Sequence, residues 1–96
     1  MEEIEANQKT FGQMYEIITK KLPKRIKLLR EIYNYTQEFV ADELKMSQTG
    51  YGNLERGLSV ISLDKIELFC KIYKITVDEF FEFDLNNIMK NKKIEL

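Results

Sequence analysis

Apolar residues recur along this chain at helical spacing, and four of the repeats open with the same short grammar. A serine or threonine stands at the start, preceded by an apolar residue and followed four positions later by another. The sets are Tyr35-Thr36…Val40, Met46-Ser47…Tyr51, Ile61-Ser62…Ile66 and Ile75-Thr76…Phe80. A hydroxyl at the N-cap satisfies a free helical N–H, and the flanking apolar pair staples the entering chain to the first turn. Glu79, three residues after Thr76, completes a capping box. The pattern predicts helices over 37–44 with Val40, Ala41 and Leu44 inward, over 48–56 stopping at Gly57, over 63–73 with Leu63, Ile66, Cys70 and Tyr73 as its stripe, and from Val77 with Phe80 and Phe81.

Upstream, Leu22, Ile26, Leu29 and Tyr33 share one face of a helix with Pro23 in its first turn, and Asn34 suits the left-handed residue that ends it. Phe11, Met14, Tyr15, Ile18 and Leu22 predict an extra helix over about 10–21. The expected fold class is therefore all-α, a five-helix bundle over 22–83 with an extra N-terminal helix in 1–21 and a partly disordered tail over 84–96.

Only Lys45 and Met46 separate Leu44 from the Ser47 cap. Two short helices joined so tightly must cross steeply, as in a helix-turn-helix, and the small Ala41 lets them approach. The second of the pair carries Gly50 and Gly52, each disfavoured by about 1 kcal/mol relative to alanine. Advancing about 100° per residue puts Gln48, Gly52, Arg56, Thr49 and Asn53 within one arc, opposite Tyr51 and Leu54. Gly52 falls amid that polar face and Gly50 on its flank. Gln48 and Asn53 taken singly are ordinary surface residues; only their shared face raises them above that. A glycine at 52 would let backbone approach a groove floor, and the competing reading is a helix that has ceased to read one.

The stretch TQEFVADELKMSQTGYGNLERG (36–57) resembles the helix-turn-helix of the phage Cro and repressor-like family, also called Xre. The Thr-Gln start, the alanine at the fifth position of the motif and the closing Glu-Arg-Gly carry the likeness, which extends from about Pro23 to Phe83. The resemblance implies a lambda-repressor-like bundle that inserts helix 48–56 into the DNA major groove. By position it implies that Gln48, Thr49, Gly52 and Asn53 meet base edges, that Thr36, Gln37, Ser47 and Arg56 meet phosphates, and that Arg30 and Glu55 form a structural ion pair. Glutamine and asparagine match the paired donor and acceptor of adenine, and the threonine methyl suits thymine. Two departures weaken the expected grip: Gly50 lacks a hydroxyl common in the family, and the loop GLSVIS (57–62) has no cation. Exposed Glu38, Asp42 and Glu43 would repel the backbone, so affinity per monomer should be modest, with a shallow salt slope.

Composition narrows the alternatives. The net charge is −1, so no global basic balance advertises nucleic acid, yet KKLPKRIKLLR (20–30) holds six cations and no acid. Such a run alone reads as a solvated helix face. There is no histidine and one cysteine, Cys70, which removes most zinc sites, an internal disulfide and His-dependent nucleophile systems. No phosphate-cradling glycine loop is present. An enzyme is not expected, nor any catalytic residue, metal or cofactor. The acidic, polar N-terminus does not read as a secretory signal and no apolar run is long enough to span a bilayer, so a cytoplasmic location is expected, with no membrane partner. The leading expectation is a repressor-type transcriptional regulator acting as a homodimer on double-stranded DNA with a two-fold operator. The alternative is an antitoxin or interaction module that neutralises a partner protein, such as a toxin, while regulating its own promoter.

Overall fold

A computed structural model of the chain describes residues 10–83. Among them lie helices α1 (Phe11–Glu16), α2 (Leu22–Ile32), α3 (Gln37–Glu43), α4 (Gln48–Glu55), α5 (Leu63–Tyr73) and α6 (Val77–Glu82), and no strand. The tail over 84–96, expected to be partly disordered, lies outside the described residues, as do residues 1–9.

α1 does not stand apart from α2. A π turn over Ile17–Lys21 joins them without a loop, so the described residues form five helical rods. Pro23 explains the junction. Inside a helix proline donates no hydrogen bond and its ring crowds the carbonyl four residues back. The π turn loosens the ladder just ahead of it, with the Leu22 N–H donating to the Ile17 carbonyl, five residues back. The same extra residue corrects the predicted N-terminal stripe. It rotates α1 relative to α2, so Phe11 and Tyr15 face solvent, Met14 and Ile18 are half-buried, and Ile17 enters the core. Thr10 caps α1 in a full capping box with Gln13.

Of the four stapled starts, three form the expected cap. Thr36 accepts from the Phe39 N–H, Ser47 from Gly50 and Thr76 from Glu79. Ser62 does not, because its hydroxyl donates to Asp64 instead. α5 also buries a different stripe from the one expected. Ile66, Phe69 and Tyr73 face inward, Cys70 is half-buried and Leu63 is 81% exposed. Steps of three residues advance about 300°, so a stripe extrapolated backwards drifts off the buried face. Leu63 sits about 120° from Phe69 and has left it.

The core gathers Ile26 and Leu29 of α2, Val40 and Ala41 of α3 with Leu44 beyond it, Tyr51 and Leu54 of α4, Phe69 and Tyr73 of α5, and Phe80 of α6. The turn between α3 and α4 places Lys45 in the left-handed region (φ 59°). The Met46 N–H returns to the Ala41 carbonyl at 3.0 Å, and the Lys65 ammonium donates to the Leu44 carbonyl at 2.8 Å. Those two bonds close the end of α3 and fix the angle at which α4 departs.

Candidate nucleic-acid interface

α4 is an unpromising helix by composition, and its position comes from what holds it. Its inner face, Tyr51 and Leu54, is buried, and α3 packs along it. At its C-terminal end Glu55 is buried too, its side chain only 3% exposed. Arg30 on α2 answers that charge: Nε donates to Glu55 Oε2 at 2.7 Å and Nη2 to Oε1 at 3.3 Å. Arg30 Nη1 also donates to the Tyr35 carbonyl at 3.1 Å, and Gln37 Nε2 donates to Glu55 Oε1 at 3.1 Å. One carboxylate thus ties together α2, the start of α3 and the end of α4.

Burial pushes the Glu55 carboxyl upward, but donors from Arg30 and Gln37 and the nearby Tyr51 hydroxyl outweigh it and hold the group below the usual carboxylate range. The Tyr51 hydroxyl is buried without meeting hydrogen-bond geometry; burial first, then the Glu55 carboxylate, raises its pKa.

Among the described residues, the outer face of α4 is open. Gln37, Gln48, Thr49, Gly52 and Arg56 line a cleft of about 280 Å³ along it. Gln48 and Thr49 are exposed and Asn53 is half-buried. Asn53 lies beside the cleft rather than lining it, and its Oδ1 accepts a hydrogen bond from Arg56 Nη2. Thr36 and Ser47 spend their hydroxyls as helix caps. Gly52 is not bare backbone. A Cβ there would lie 3.3 Å from Arg56 Nη1 and 4.0 Å from Gln37 Nε2, so the glycine makes room for two polar side chains to cross the helix. Gly50 sits over the cap instead, where a Cβ would meet Ser47 Oγ at 3.2 Å.

The basic run divides by function. Arg25 turns inward, donating to the Phe81 carbonyl and lying 5.4 Å from the centre of the Phe83 ring. Arg25 and Arg30 are therefore structural cations, contrary to a uniformly solvated face. Neither the Gln37–Glu55 bond nor the Asn53–Arg56 bond is anticipated by the sequence pattern. Helical i, i+3 spacing is the signal that could have found the second.

A family model described as Helix-turn-helix matches residues 26–80, more than half of the chain. The chain belongs to that helix-turn-helix family, in its Cro and repressor type, and carries a DNA-binding regulatory domain. No curated protein and no solved structure matches it. Among the described residues no helix is long and apolar enough to cross a membrane.

Proposed function

We propose that the chain is a sequence-specific transcriptional regulator that places α4 in the major groove and represses by occupying its operator. The observation that carries this reading is the division of α4 into a locked inner face and an open outer one. The Arg30–Glu55–Gln37 network fixes the helix, while Gln48, Thr49 and Arg56 flank a cleft whose lining, among the described residues, holds no apolar side chain. A rigid helix that presents polar side chains along one face is what direct base readout needs. Gln48, Thr49 and Asn53 would meet base edges, with Gly52 leaving room for Arg56 and Gln37 to lie across the helix rather than offering bare backbone to the groove. Gln37 and Arg56 would position the backbone, together with the amide-rich helix starts capped by Thr36 and Ser47. A single small domain offers few such contacts, so a homodimer spanning half-sites about one turn apart is the expected working form.

Selecting bound duplexes from random DNA at two salt concentrations tests the proposal. A recovered motif with two-fold symmetry is expected. Recovery of no common sequence at either salt would contradict it. A second reading, an interaction module that neutralises a partner protein, is favoured by the exposed rings of Phe11 and Tyr15 on α1. Co-purification of a stoichiometric partner that is lost in a Phe11→Ser/Tyr15→Ser variant would support it.

A further inference from the structure

Lys20 and Lys24 precede the matched helix-turn-helix region, yet they converge on the end of α4. With Arg56 they line an open cleft of about 370 Å³ between the π turn and the residues that close α4. The junction is built from Pro23 and Gly57. A Cβ at Gly57, where φ is +75°, would stand 3.7 Å from Pro23 Cγ and 4.0 Å from the Thr19 carbonyl oxygen, so the π turn rests closely on the chain leaving α4. That packing aims the two lysines, one helical turn apart, at the same opening. The carboxylate lining the cleft, Glu55, is already answered by Arg30 at 2.7 Å. Three cations therefore line the opening, and among the described residues that line it there is no free acid. Arg56 lines this cleft and the polar cleft beside α4 alike, which makes the two surfaces continuous.

We propose that the cleft formed by Lys20, Lys24 and Arg56 holds a backbone phosphodiester of the DNA whose bases α4 reads. The inference rests on the DNA-reading function proposed above and extends it to residues outside the motif. Compact ammonium groups suit a phosphate and carry no base information, so the site adds affinity without adding sequence preference. It also offsets the absence of cations in the loop 57–62.

The test measures Kd for the full chain on a selected duplex and on a scrambled duplex of equal length, over a range of KCl. For Lys20→Ala/Lys24→Ala we expect weaker binding to both duplexes, an unchanged ratio between them, and a log–log salt slope shallower by about 1 to 2. Lys20→Arg/Lys24→Arg should restore the slope, and Lys21→Ala, outside the cleft, should leave it unchanged. Both lysines are exposed, so the variant should keep the parent's helical circular dichroism and Tm; Lys20→Gln/Lys24→Gln serves if it does not. An unchanged slope in a folded variant would overturn the inference while leaving the readout by α4 standing. So would an equal loss on Lys21→Ala, which would show diffuse charge rather than a site. A parent chain that binds neither duplex would instead overturn the proposed function itself.

Discussion

α4 and α5 are neighbouring helices in one core, and they are held by opposite means. α5 is eleven residues long and fixed by its own apolar stripe, with Ile66, Phe69 and Tyr73 turned into the centre. Its ion pair between Lys71 and Glu67, at 3.9 Å, lies on the surface with both partners about 70% exposed. α4 is eight residues long, carries two glycines, and would not persist as an isolated peptide. It is held by Tyr51 and Leu54 and by a buried carboxylate at its end. α5 relies mainly on packing, with Lys65 bonding the Leu44 carbonyl, because its outer face needs only to be soluble. α4 must hold its orientation to about half an ångström if its outer face is to read anything, and a directional ion pair fixes orientation where apolar packing alone fixes only depth.

The sharpest way to break that contrast is to remove the acid from each helix. Glu55→Ala should cost about 3 kcal/mol, because it strands the Arg30 charge in a half-buried site. Glu67→Ala should cost less than about 0.5 kcal/mol, since its pair is exposed. Urea denaturation of the two variants measures the difference directly, and equal losses would show that the Glu55 network does not hold α4.

Acid should make the same distinction in the parent. The Glu55 carboxyl is held below its ordinary value in the folded chain. Its contribution is thus fully present above the unfolded pKa, near 4, and is lost as pH falls through the lower folded value. Stability of the parent should decline on acidification below about pH 4, and the Glu55→Gln variant should show a flatter profile there. Denaturation midpoints between pH 2 and 6 would test this.

Smaller effects sharpen the comparison at the helix ends and interiors. Lys45 and Lys74 both sit in the left-handed region, ahead of α4 and after α5 respectively. Lys45→Gly and Lys74→Gly should each stabilise by about 1 kcal/mol, the strain a Cβ suffers there. Within α4 the two glycines should part company. Gly52→Ala meets only the end of the flexible Arg56 side chain, so better propensity should win by about 0.5 kcal/mol. Gly50→Ala presses on the Ser47 hydroxyl that caps the helix, so its gain and the damage to the cap should cancel to within about 0.5 kcal/mol. Thermal unfolding of the four variants checks the order.

What could be read from the chain beforehand follows the range of each interaction. Helix starts were legible because caps act within three or four residues, as at Thr36, Ser47 and Thr76. The start at Ser62 was legible too, but not the loss of its cap bond, since Asp64 takes its hydroxyl two residues on. The turn at Lys45 and Met46 was legible from its length. The burial phase of α1 was not, because one π turn ahead of Pro23 shifts every position before it. Leu63 failed for a related reason, an accumulated drift in helical phase. The bond between Arg30 and Glu55 spans 25 residues, and no local pattern couples them; only the family resemblance brought them together. Gln37 has the same limit: its position at the start of α3 was plain, but its bond to Glu55 depends on the crossing of α2, α3 and α4. Lys20 and Lys24 could be counted along the chain, while the direction they face depends on where the π turn rests.

The most direct test of base reading by α4 is a Gln48→Ala/Asn53→Ala variant, compared with the parent on the selected duplex and on a scrambled one at fixed salt. Gln48 is exposed, and Asn53, half-buried, gives up a bond to the exposed Arg56, so the fold and the grip on phosphates should survive. We expect binding to the scrambled duplex to persist and the preference for the selected one to fall by roughly a hundredfold, since each bidentate pairing with a base is worth about 1 to 3 kcal/mol of discrimination. A folded variant that keeps the parent's preference would contradict the claim that this face of α4 reads sequence.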